Sequence, residues 1–141
     1  MDQDLISVKA ELKAWHERFA GCVRARDFAG GSALFAAESR GFGTCTEFTA
    51  DLDCLRQNQW GPVWSSTHSF HFLPEPFEVI LSPDGLLACV FTLWESKGIS
   101  PDGTDFPRRG RCTTVLRRSE VEAPKWVAVH THYSKTPGGG I

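Results

Sequence analysis

A basic excess, paired cysteines and long apolar runs are all missing from this 141-residue sequence, and each absence removes a class of function. Lysine and arginine total 15 against 17 aspartate and glutamate, a formal charge of -2. A polyanionic partner gains nothing from that balance, so neither nucleic acid nor an acidic membrane surface is expected. Cysteine occurs five times, at Cys22, Cys45, Cys54, Cys89 and Cys112. The number is odd, no CxxC pair occurs, and three of the five lie inside apolar runs, which predicts small core residues in a reducing compartment. No window approaches the ~18 uninterrupted apolar residues of a membrane helix. The opening MDQDLISVKAEL lacks the basic flank and apolar stretch of a signal peptide. A cytoplasmic protein is expected, and no motif calls for a cofactor.

What is present is an ordinary globular composition, 41% hydrophobic and 11% aromatic, of a length that suits one domain. We expect that domain over residues 1–137 and a disordered tail over 138–141. Leu5, Val8, Leu12, Trp15, Phe19 and Cys22 step by three or four and form one face of an amphipathic helix. Asp27 can cap a second helix from Phe28 to about Ala37, weakened by Gly30 and Gly31. GFGTCTEFT reads as loop, and a third short helix runs from about Asp51 to Trp60, stopping at Gly61-Pro62. After Ser65 the period falls to two, through SFHF, FEVIL, LLACVFTLWES, RCTTVLRR and KWVAVHTHYS. Pro83-Asp84-Gly85 and Pro101-Asp102-Gly103 mark hairpin turns between strands. The fold class is α+β, with N-terminal helices on a strongly curved antiparallel or mixed sheet.

Two segments, RFAGCVRARDFAGGSALF (Arg18 to Phe35) and WVAVHTHYS (Trp126 to Ser134), carry a resemblance that covers about residues 5 to 137. The chain resembles the SnoaL-like branch of the nuclear transport factor 2-like, or cone-fold, superfamily. Its last strand is similar to the end of the association domain of calcium/calmodulin-dependent kinases, with a W-x-x-V-H-x-H-x-S pattern. The resemblance implies a cone whose concave face encloses a pocket beneath the first helix. Ketosteroid isomerases of this fold use a tyrosine on the first helix and a carboxylate after the second; those places fall here on Phe19 and Gly43. Neither residue can donate to an oxyanion or move a proton, so the isomerase mechanism is not implied. The arginines of the kinase association domain fall on Phe91, Thr114 and Tyr133, which removes that carboxylate clamp. On the same register Cys89, Phe91, Leu93, Cys112, Thr114, Leu116, Val127, Val129, Thr131 and Tyr133 face the pocket. Val90, Trp94, Thr113, Val115, His130 and His132 face outward and predict a homodimer through the outer sheet face.

Aromatic density is the leading functional feature. Trp15, Phe19, Phe35, Phe42, Trp60, Trp64, Phe91 and Tyr133 can all reach one end of the cone, with Thr114, Thr131 and the Tyr133 hydroxyl as polar groups. They either fill the core or line a site for a small apolar or aromatic ligand. An isomerase- or cyclase-type enzyme needs a base, and Glu38, Glu47 and Asp51 are the carboxylates near the mouth, with Glu47 the catalytic candidate and Tyr133 its donor. A scaffold with a filled core is the third reading. His130 and His132 share one strand face, with His68 and His71 upstream, but no third ligand has metal-site spacing. Cys89 and Cys112 lack an activating neighbour. Arg108, Arg109, Arg111, Arg117 and Arg118, beside Asp102, Asp105, Glu120 and Glu122, read as a solvated strand edge.

Overall fold

The computed structural model describes residues 2–119, 121 and 125–137. The expected tail at 138–141 and two of the acidic neighbours of the basic strand, Glu120 and Glu122, lie outside them. Helix α1 (Asp2–Ala25) and the short α2 (Phe28–Ser32) precede strand β1 (Phe35–Phe42). A broken helical segment follows, made of α3 (Leu52–Leu55), a π-helical turn (Arg56–Trp60) and α4 (Gly61–Ser65). Four long strands complete the chain: β2 (Thr67–Leu81), β3 (Leu87–Ile99), β4 (Asp105–Arg118) and β5 (Trp126–Lys135). No helix among the described residues is long and apolar enough to cross a membrane.

The sheet runs β1-β5-β4-β3-β2, antiparallel except that β1 pairs with β5 in parallel. It is an open, mixed sheet. Both sequence turns form as read: Gly85 and Gly103 take φ of 74° and 87°, where a Cβ would be strained. In each turn the preceding aspartate folds back, Asp84 Oδ1 accepting from Leu86 N and Asp102 Oδ1 from Thr104 N, each at 3.0 Å. Proline at 74 and 76 is tolerated in β2 because that strand is an edge, where a missing N–H breaks no ladder on the open side.

Two expectations for the N-terminal half are corrected. The second helix stops at Ser32 rather than Ala37, and residues 35–42 form a strand. FAAESRGF is rich in helix formers; tertiary pairing with β5 overrides that local preference. The third helix does not end at Gly61-Pro62. Pro62 sits in the first turn of α4, where its lacking N–H has no partner to lose, and the π-helical turn before it absorbs the junction. Asp27 and Asp51 do cap their helices, accepting from Gly30 N and Cys54 N at 2.9 Å.

The core lies between α1 and the concave sheet face. Leu12, Val90, Leu116 and Ala128 are fully buried. The stripe on α1 is rotated slightly from the one expected: Leu5 is exposed, while His16, Ala20 and Val23 join Val8, Leu12, Trp15 and Phe19 inside.

Candidate ligand-binding pocket

Three layers meet at one end of the cone. The second half of α1 supplies Phe19 and Val23, the broken helical segment supplies Leu55, Gln59, Trp60, Val63 and Trp64, and the sheet supplies Thr67, Phe70, Trp94, Arg108 and Tyr133. Phe42 and Thr44, at and just after the end of β1, form the rim. Trp60 and Trp64, one turn apart, stack at 4.6 Å, and Phe19 packs against both at 5.6 and 5.8 Å. These rings fill most of the cone. The enclosed space left is about 40 Å³, more than the ~10–15 Å³ that one water needs and far below the ~300–1,000 Å³ of a pocket for a drug-sized ligand. That room holds a few waters or the end of a ligand and is well below the ~150 Å³ cavity that takes a benzene ring, so the body of any ligand lies toward the open mouth.

Polar groups in the wall are few. The Tyr133 hydroxyl is buried and has no hydrogen-bond partner of ordinary geometry among the described residues. Burial first, and the neighbouring Cys112 thiol second, hold its pKa well above the ordinary value, so it stays a protonated donor. Behind it, Cys112 Sγ lies 3.4 Å from Thr114 Oγ1, which in turn lies 3.0 Å from His16 Nε2. His16 Nδ1 donates to the Leu12 carbonyl at 2.8 Å, which leaves Nε2 as an acceptor for the Thr114 hydroxyl. Burial pushes His16 down to about 4 and Cys112 up to about 11. Both are neutral core groups, and neither is a base nor a nucleophile at neutral pH.

Among the described residues Arg108 is the one charged side chain in the wall. Its guanidinium lies over the Trp94 ring at 5.3 Å, Nη1 reaches Ser96 Oγ at 3.5 Å, and Nη2 reaches Thr44 Oγ1 at 3.3 Å. Gln59 fixes that rim: its Oε1 accepts from Cys45 N at 2.8 Å and its Nε2 donates to Thr44 Oγ1 at 2.9 Å. The expectation that Arg108 belongs to a solvated edge, and that the hollow holds no arginine, is therefore corrected.

The strand register is corrected as well. On β4 the inward set is as expected, with Cys112, Thr114 and Leu116 buried. On β3 it is the other set: Ala88, Val90, Thr92 and Trp94 point in, whereas Cys89, Phe91 and Leu93 lie on the outer face, Phe91 at 39% exposure. Both sets on β3 are apolar enough to be buried, so alternation alone could not choose between faces, and a slip of one residue inverts them all. On β5 an irregularity at Val129 separates Ala128, paired with Leu116, from His130, paired with Val115. Thr131 and Tyr133 therefore point in as expected, while Val127 and Val129 do not.

The remaining candidates separate in the same way. Trp15 and Phe35 are core residues behind the wall, 5.8 Å apart, and Thr114 and Thr131 are buried in the sheet layer below it. Glu47 is exposed on the loop after β1 and is not part of the wall. Glu38 pairs with Arg117 at 3.0 Å and Asp51 is a helix cap. His130 and His132 lie against Phe42 at 5.7 and 5.4 Å, and His68 and His71 pair with Asp105 and Glu95. Among the described residues no three histidine, cysteine or acidic side chains cluster as a metal site. Phe70, Thr44 and Gln59 were not singled out from the sequence, and Trp94 and Arg108 were assigned to the outer face and to a solvated edge. One signal was available for the latter two: counting back from the Pro101-Asp102-Gly103 turn pairs Trp94 with Gly110 and Ser96 with Arg108, which sets Trp94 and Arg108 on one face.

The SnoaL-like domain family model matches residues 8–137. No curated protein matches the chain. A nuclear transport factor 2-like superfamily protein from Salmonella enterica serovar Typhimurium LT2 superposes with a TM-score of 0.80 at 20% identity, covering 97% of this chain and 96% of that one. A Xanthomonas campestris protein named for a calcium/calmodulin-dependent protein kinase II association domain gives 0.71 at 17%, over 94% and 87%. A ketosteroid isomerase-like protein from Erwinia carotovora atroseptica gives 0.72 at 16%, over 89% and 94%. At these identities the likeness is one of fold, the cone expected from the last strand and the helical entry.

Proposed function

This chain belongs to the SnoaL-like domain family, and we propose that it binds a small, largely apolar or aromatic organic molecule at the open end of its cone. The observation that carries this reading is an aromatic wall open to solvent with the Tyr133 hydroxyl buried behind it against the Cys112 thiol. A thiol is a weak acceptor, so a ligand oxygen is a better partner for that hydroxyl. Flat rings on either side supply the area, and one or two polar groups fix orientation, which is the usual division of labour in a small-molecule site. The enzymatic alternative lacks support from the wall, since no carboxylate among the described residues lines it.

Thermal unfolding with a library of single-ring and short-chain organic molecules tests the reading. A ligand present at one hundred times its Kd raises stability by about 2.7 kcal/mol. Val63 lines the mouth and is half-buried, so Val63→Phe should close the entrance without disturbing the core. Stabilisation of the wild type that this variant loses is the expected result. A library that stabilises neither protein favours the filled-scaffold reading and overturns this one.

We also infer a homodimer through the outer sheet face, presented by Phe91, Leu93 and Val115 rather than by Trp94 and Val90. Phe91, Leu87 and Ile80 are 39%, 46% and 62% exposed on neighbouring strands, the kind of apolar patch that a partner surface covers.

A further inference from the structure

We infer that the ligand of this pocket is a monoanion, a small apolar or aromatic carboxylic acid whose carboxylate is received by Arg108 and whose body lies against Trp60, Phe70 and Trp94. The inference rests on the ligand-binding reading above and narrows it to one chemical class.

Arg108 differs from the other cations of its strand in lining this pocket: Arg111 bonds the Ser134 hydroxyl and Arg118 lies over the Trp126 ring. Arg109 pairs with Glu95 at 3.1 Å and Arg117 with Glu38 at 3.0 Å, and both are more than half exposed. Arg108 is half-buried, lines the pocket, and has no carboxylate partner among the described residues. Its two hydrogen bonds, at 3.3 and 3.5 Å, are long for a guanidinium. The Trp94 ring recovers part of what burial removes, about 0.5–2 kcal/mol for a cation over an aromatic face. A guanidinium offers five N–H donors, so this arrangement leaves most of its donor capacity unspent.

The other polar atoms around the opening point the same way. The Tyr133 hydroxyl is a donor with the weakly accepting Cys112 thiol beside it, and Tyr133 and Arg108 both pack on Trp94. Thr44 Oγ1 already accepts from Gln59 Nε2 and Arg108 Nη2, so its own proton is directed elsewhere. A wall that presents donors and no carboxylate selects a ligand rich in acceptors. The single positive charge matches one negative charge: among the described residues no lysine and no second arginine lines the pocket, so a dianion such as a phosphate monoester would remain half-compensated in apolar surroundings. The small enclosed space takes only the end of the acid, and its body lies at the open mouth against the aromatic rim.

The test compares benzoate, phenylacetate and hexanoate with their neutral amides, by calorimetry and tryptophan fluorescence, on the wild type and on Arg108→Gln, Arg108→Lys and Tyr133→Phe. The wild type is expected to bind at least one acid about tenfold or more tightly than its amide, in line with a charge-assisted bond. Arg108→Gln should abolish that preference, weakening the acid about tenfold more than the amide, and Arg108→Lys should keep part of it. Residual amide binding also shows that the variant is folded, and Tyr133→Phe, which alters no charge, should weaken acids and amides alike. If amides bind as well as acids, the anion assignment is overturned and the ligand reading stands. If an acid preference survives Arg108→Gln, the assignment to Arg108 is overturned. If no acid and no amide binds, both readings fall together.

Discussion

Trp94 and Gly110 face each other across the β3–β4 ladder, and the indole occupies the place where a side chain at 110 would stand. A Cβ built on Gly110 collides with the Trp94 ring and with the Ser134 carbonyl of β5. The indole N–H donates to the Arg111 carbonyl at 3.2 Å, which fixes the ring flat against the sheet. The shape of the pocket therefore depends on a missing side chain on β4, two residues from Arg108.

Gly110→Ala should consequently destabilise the domain, because neither a paired backbone nor a buried indole can yield cheaply. We expect a loss of about 3 kcal/mol, the upper end of ordinary overpacking, and a melting temperature lower by roughly 10 °C. Differential scanning calorimetry checks this. Near-ultraviolet circular dichroism should report the displaced indole as well.

His16 makes stability depend on acidity. Its ring is 1% exposed and its pKa falls from 6.5 to about 4 through burial, opposed by the bond to the Leu12 carbonyl. The unfolded chain takes up the proton more readily than the folded one. The stabilisation from the neutral ring is thus complete above pH 6.5 and is lost as pH falls toward 4, a total of about 3 kcal/mol. Urea unfolding across that window should show the decline. His16→Gln, which keeps a donor and an acceptor, should flatten it, and an unaltered decline would assign the effect to other groups.

The outer face gives a prediction about assembly. Phe91→Glu places a charge in the middle of the apolar patch formed with Leu87 and Ile80. Sedimentation at micromolar concentration should find the wild type dimeric and the variant monomeric. Ligand affinity should be unaffected, because Phe91 points away from the cone.

Thiol reactivity should follow burial. Cys45 is exposed, whereas Cys22 and Cys112 are buried and burial raises both of their pKa values, that of Cys112 to about 11. A thiolate is the reactive species, so Ellman's reagent should label Cys45 quickly in the native protein and Cys112 only after denaturation. Rapid native labelling of Cys112 would show that the cone opens far more readily than its packing implies.

The contrast between legible and illegible features follows from how far each signal reaches along the chain. Asp27 and Asp51 could be read as caps, and the two Pro-Asp-Gly turns as hairpins, because the partners lie within three residues. Strand β1 could not: its eight residues owe their conformation to Trp126–Lys135, far away in sequence. The inward face of β3 was hidden for a different reason, since Val90 and Phe91 are equally plausible core residues and only the pairing with β4 decides between them. Arg108 was misread with its neighbours as a surface charge. Its environment comes from Thr44, in the loop after β1, and from Ser96 and Trp94 on β3, segments far apart in sequence. The candidate site was thus legible in its aromatic character and illegible in its single charge.

The parallel pairing of β1 with β5 carries a consequence for how the molecule is made. Phe35–Phe42 leaves the ribosome well before Trp126–Lys135, and until that last strand appears it has no hydrogen-bonding neighbour in the sheet. The earlier strands can zip up hairpin by hairpin, but the seam joining the first to the last must wait, and it is a contact of the long-range kind that slows folding. A nascent chain halted before Trp126 should therefore expose an unpaired edge next to its aromatic cluster, an inviting target for chaperones and proteases.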